Sequence, residues 1–140
     1  MKKFFALTAL SLVLAGCAQD GKVSVTEDQL VNHRFVLESA NGKPFTAGEN
    51  QPEISFGEKM HLSGVMCNRF TGEGKLSNGA LSAKKLAMTR MACADPQRNA
   101  LDLIFGEMMT KGAQADLTET QLTLTTAEET LIFKQADQGR

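Results

Sequence analysis

The chain opens on an apolar run, Phe4 to Leu14, broken only by Thr8 and Ser11. Lys2 and Lys3 precede it, and the small residues Ala15 and Gly16 follow. A positive start, a short apolar stretch and small residues before a cut are the parts of a secretory signal. The run is too short for a membrane-spanning helix, which takes roughly 20 apolar residues. Cys17 to Val25 is polar and reads as a tether. Beyond it the apolar positions alternate. Arg34 to Glu38, Ile54 to Phe56 and Lys59 to Val65 read as strands, with Met60 and Leu62 on one face. Asn41-Gly42 and Asn78-Gly79 are hairpin turn signals. Glycines between Met66 and Gly74 suggest a bulge or sharp bend. Leu81, Leu86, Met88 and Met91 continue the strand pattern.

One segment has helical spacing. Asp95 suits an N-cap and Pro96 the first helical position. Leu101, Ile104, Phe105 and Met108 make the apolar stripe, and Gly112 ends the element after Lys111. Thr26-Glu27-Asp28-Gln29 matches a capping box for a single turn before Leu30. The last third returns to strands, at Gln121 to Thr125 and Thr130 to Lys134. The sum is a mainly β (α+β) fold: a small antiparallel β-barrel or half-barrel with one amphipathic helix packed against it.

Leu14-Ala15-Gly16-Cys17 sharpens the signal into a lipoprotein box, Leu-x-x-Cys. Its thiol accepts the lipid, and Cys17 becomes the first mature residue. Two or more acyl chains anchor a protein stably, whereas one does not. Ala18, where inner-membrane retention would favour Asp, points to the periplasmic face of the outer membrane. The expected divisions are a signal peptide over 1–16, a lipidated tether over 17–30 and a folded domain over 31–136. Losing Lys2 and Lys3 takes the 15 basic residues to 13 against 16 acidic ones, a balance of −3. No basic stripe exists and Trp and Tyr are absent, which argues against a nucleic-acid partner. A monomer is expected.

Cys67 and Cys93 remain as an even pair in an oxidising compartment, which favours a disulfide. Closing that loop would contribute about 3.5 kcal/mol in the chain-entropy picture. The alternative is two buried thiols packed as small hydrophobes. Their spacing matches no metal motif. His33 and His61, the two histidines, stand in separate strands without ligand spacing, and Ser63 lacks a Gly-x-Ser-x-Gly setting. The Gly72-x-Gly74 pair lacks the strand-to-helix context of a phosphate loop. No catalytic residue, metal site or cofactor is therefore expected. Asn68 and Arg69 are the candidate partner or ligand contacts, since they could hold an anion or a carboxylate. The competing reading has Asn68 satisfying backbone groups at the bend and Arg69 pointing to solvent. An apolar ligand would need a cavity lined by side chains such as Met60, Leu62 and Phe105. An envelope protein partner would need an exposed groove or strand edge.

The block Gly64-Val65-Met66-Cys67-Asn68-Arg69-Phe70-Thr71-Gly72, with Met88-Thr89-Arg90-Met91-Ala92-Cys93, resembles the two signature blocks of META domains. The likeness extends over nearly the whole chain. It departs from the common pattern at Met66, where many members have Gly, and at Glu73, where many have an aromatic. The resemblance implies a small barrel with one helix, in an envelope lipoprotein linked to heat shock and novobiocin resistance. It implies no established catalytic residues. The fold is also similar to that of secretin pilot lipoproteins, a fold-level analogy.

Overall fold

The computed structural model describes residues 25–45 and 51–136. The signal segment, Cys17, the tether up to residue 24, residues 46–50 and residues 137–140 lie outside the described residues. A one-turn helix, α1 (Glu27–Leu30), leads into β1 (His33–Ala40), which buries Phe35, Leu37 and Ala40. The chain turns at Asn41-Gly42 into β2 (Lys43–Pro44). Both turn residues have positive φ, 50° and 84°, as the tight hairpin demands. Then come β3 (Glu53–Phe56), β4 (His61–Val65), β5 (Arg69–Ser77) and β6 (Ala80–Met88). Asn78-Gly79 repeats the hairpin turn, with φ of 51° and 81°. The main helix, α2 (Pro96–Lys111), precedes β7 (Ala113–Thr118), β8 (Gln121–Thr125) and β9 (Thr130–Gln135).

All strand pairs are antiparallel. β9 returns to β1, from Phe35↔Gln135 to Ala40↔Leu131. That pairing closes eight strands into a barrel, and β2 is a short extra strand beside the far half of β1. Closure places the inward positions of every strand around one core. Phe35, Leu37, Leu62, Phe105 and Phe133 are all fully buried there. The thinnest seam is β6–β7, with only Ala80↔Gln114 and Leu81↔Ala113 in register. α2 lies in the chain between those two strands and packs on β6. Asp95 caps it by accepting from the Gln97 N–H at 3.0 Å, and Gly112 ends it at φ 96°. Leu101, Phe105, Met108 and Met109 face inward, and the Phe105 ring sits 4.6 Å from that of Phe70.

The structure departs from the sequence expectation at several points, each with a local reason. The folded domain expected from residue 31 takes in earlier residues, because Val25 and Leu30 are both buried in the core. The strand expected from Lys59 starts at His61. Glu58–Met60 is instead a 3₁₀ turn in which Lys59 and Met60 have φ of 56° and 61°, and Met60 is buried. The bulge or sharp bend expected between Met66 and Gly74 is present, as a bend over 66–68 and a bulge opposite Gly72. The extra residue is on β6, where Lys85 has φ 54°, and the register slips between Thr71 and Glu73. Met91 leaves the strand pattern altogether and is 71% exposed. Gly64 is required by close approach. At its φ of 153° a Cβ would run into the Glu53 carbonyl and lie 2.9 Å from the Phe70 ring.

Candidate functional site

The connection between β4 and β5 meets the link from β6 to α2 at one corner of the barrel. Asn68 joins them. It is 6% exposed, the one buried polar side chain among the described residues. Such a group costs stability unless it is bonded. The Asn68 Oδ1 accepts from the Met91 N–H and the Thr89 hydroxyl, both at 2.8 Å. Its Nδ2 donates to the Met91 carbonyl at 2.8 Å and to Asp102 Oδ2 at 2.6 Å. A carboxamide has two donors and two acceptor sites, and all four are used.

Asp102 reaches the same corner from α2. Its Oδ1 accepts from the backbone N–H groups of Cys67 and Asn68, each at 3.0 Å. Cys67 and Cys93 are joined by a disulfide with Cα atoms 6.0 Å apart. The Cys93 N–H donates to Asn99 Oδ1 at 3.1 Å, and Arg98 Nε donates to the Met66 carbonyl at 2.9 Å. The corner is thus held by one covalent bond and a network drawn from three chain segments. Sequence reasoning missed Asp102, Asn99, Arg98 and Thr89. Three of them lie on the polar side of α2, and no local pattern there announces a contact some 35 residues back at Cys67.

Arg69 sits at the start of β5 beside this corner. Its backbone is bonded, the N–H to Thr89 Oγ1 at 3.2 Å and the carbonyl to the Thr89 N–H at 3.1 Å. Its exposed guanidinium has no partner among the described residues. Two concavities open on the outside of the barrel there. The larger, about 930 Å³, is a groove over the outer faces of β1, β3, β4 and β5 and the end of β6. Strand register sets its floor as one row of small side chains, Ser55, Ser63, Thr71 and Ala87, starting from Arg34. Arg34 Nη1 is 2.6 Å from Glu53 Oε1 in the next row. The smaller concavity, about 540 Å³, adjoins the groove at Val65, Arg69 and Thr89 and continues over the disulfide, Met91 and Ala92.

The other sequence candidates lie apart from this corner. His33 Nδ1 is 3.3 Å from the Gln135 amide, and His61 is exposed across from Glu73. Ser63 is in the groove floor. Met60, Leu62 and Phe105 are packed within the core. No group of three His, Cys, Asp or Glu side chains is arranged to hold a metal ion among the described residues. No helix among the described residues is long and apolar enough to cross a membrane.

The family model of the META domain matches residues 28–138, which include both segments that meet at the corner. The chain belongs to the META domain family. This META domain protein is 64% identical over 137 residues to heat shock protein HslJ of Escherichia coli (strain K12), covering 98% of each chain. It is similar to a protein solved by NMR at 66% identity and a TM-score of 0.78, over 83% of this chain and 99% of that one. A second NMR structure, of a protein from Burkholderia xenovorans, is 21% identical with a TM-score of 0.62, over 83% of this chain and 95% of that one. That second likeness speaks to the fold alone. The family boundaries start near α1 rather than at β1, in keeping with the buried Leu30.

Proposed function

We propose that this META domain protein is a non-enzymatic, lipid-anchored stress protein of the bacterial envelope. It sits on the periplasmic face of the outer membrane and contributes to the integrity of that membrane under heat and hydrophobic antibiotics such as novobiocin. The observation that carries this reading is the Cys67–Cys93 bond. Such bonds persist in the periplasm and are rare in the cytosol, and the Leu14–Cys17 box supplies the route there. The heat-shock name of the Escherichia coli relative supports the stress assignment.

The non-enzymatic part rests on where the polar groups go. Asn68, Thr89 and Asp102 all bond to one another or to backbone at the corner, rather than converging on open space. Core residues Met60, Leu62 and Phe105 pack together inside the barrel, so recognition falls to the outer face. The outward groove gives the second reading, carriage of an envelope protein partner, a surface to work with.

The experiment is deletion of the gene followed by complementation with the wild-type chain or Cys17→Ser. The wild-type chain should fractionate with the outer membrane and carry acyl groups by intact mass. It should restore growth in novobiocin and at high temperature, and Cys17→Ser should not. A soluble, unacylated wild-type chain sinks the anchor. Unchanged sensitivity after deletion sinks the protective role.

A further inference from the structure

We propose that the pocket beside the Cys67–Cys93 bond binds an anionic amphiphile, with the acidic headgroup on Arg69 and an alkyl chain laid over Met91 and the disulfide. The proposal deepens the envelope reading above and rests on it for the setting in which such molecules are met.

Three observations lead to this ligand class. First, the pocket wall is mostly apolar: Val65, the disulfide, Met91, Ala92 and Ala94. Met91 is the most exposed large apolar side chain among the described residues. An unbranched, polarizable thioether of this kind adapts to varied apolar partners. A volume of about 540 Å³ falls in the range of small-ligand sites.

Second, the charge is specific. Arg69 lines the pocket with a guanidinium that has no acidic partner among the described residues, and Arg98 lines it as well. The nearby carboxylates are engaged elsewhere: Asp102 already accepts three N–H donors from Cys67 and Asn68, and Asp95 caps the helix by accepting from the Gln97 N–H. The chain as a whole is at −1, so the cationic rim is a local feature and not a bulk property.

Third, the wall that carries the cation is spent: every backbone N–H from Met66 to Arg69 already donates within the domain. Those of Thr89, Met91 and Cys93 donate as well. The carbonyls of Met66, Asn68, Arg69 and Met91 accept there. A peptide docking in extended form needs main-chain partners. A molecule recognised by apolar contact and one charge does not. The same network and the disulfide hold the pocket wall in place before a ligand arrives, which lowers the ordering cost of binding.

The test uses the lipid-free mature chain, residues 17–140 with Cys17→Ser, which keeps every described residue. Backbone amide NMR shifts are followed while sodium laurate is added below its micelle concentration. Dodecyltrimethylammonium provides the same chain length with the opposite charge. Laurate should give saturable shifts confined to residues 65–69 and 89–98, and the cationic amphiphile should not. Arg69→Gln should weaken laurate binding about tenfold or more, the loss expected for one charge-assisted contact. Met91→Ser should also weaken it, and both variants should keep the wild-type spectrum elsewhere because both side chains are exposed. Equal binding of the two amphiphiles overturns the proposal. So do shifts centred on core residues such as Phe105, or laurate affinity unchanged by Arg69→Gln. Tighter binding of the peptide acetyl-Leu-Glu-Leu-amide at the same amides would reassign the pocket to a protein partner. None of these outcomes bears on acylation of Cys17, which is read separately.

Discussion

At the scale of single residues, Asn68 carries the most consequence. It uses every hydrogen-bonding site it has to fix the backbone of Met91 and the hydroxyl of Thr89, and it meets Asp102 from α2. Truncation leaves several of those groups unpaired in a buried place. Asn68→Ala should therefore cost about 2–4 kcal/mol. Thr89→Val keeps shape and removes only the hydroxyl, and should cost about 1 kcal/mol. Urea unfolding of the three proteins checks the order. A cost for Asn68→Ala no greater than for Thr89→Val would show that the network relaxes or admits water, and that the corner is not built on this side chain. The neighbouring Arg69 behaves differently. Its guanidinium is exposed, so its loss should leave stability nearly unchanged.

Elements show what local sequence can and cannot announce. The two Asn-Gly turns, the alternation of β1 and β8, and the Asp95-Pro96 start of α2 were legible because each is set by a few adjacent residues. Met60 and Met91 were harder. Each is apolar at a strand-like spacing, yet one is turned inward by a left-handed 3₁₀ turn, and the other leaves the strand where Asn68 captures its backbone. The candidate site was half visible. Cys67, Asn68, Arg69 and Cys93 stand out by type and context, whereas Asp102 and Asn99 are ordinary polar positions on a helix. Only the folded path brings them to the corner. The disulfide ties these pieces together across a sequence separation of 26 residues. In the chain-entropy picture its reduction should lower stability by about 3.5 kcal/mol. Urea curves of the native chain with and without reductant measure this. The Cys67→Ala/Cys93→Ala double variant should match the reduced protein, and a difference below 1 kcal/mol would mean that the hydrogen-bond network alone sets the corner, or that the unfolded chain retains structure.

The whole molecule is a closed ring of strands with one thin place. β1–β9 closure and the β5–β6 hairpin are long ladders, whereas β6 and β7 share two registered residue pairs and one further bond, Ala115 N–H to the Gly79 carbonyl at 2.8 Å. What keeps the barrel shut there is α2, whose Leu101, Phe105 and Met108 reach into the core and whose first turns are stapled to the corner through Cys93 and Asp102. Proteins open in cooperative units, and the cheapest unit is the one with least registered backbone and most dependence on a single packed element. The least costly opening short of global unfolding should therefore lift α2 and part the β6–β7 seam while β1, β8 and β9 stay paired. Native-state hydrogen exchange reads this directly. Amides of β7 on the β6 side and of the first turns of α2 should exchange through an opening of lower free energy than amides shared by β1 and β9. Reduction of the disulfide should widen that gap, because it frees the N-terminal end of α2 without touching the far side of the ring. Uniform protection around the barrel, or a loss on reduction that spreads equally to β1 and β9, would mean that the ring unfolds as one unit and that the helix is not its latch.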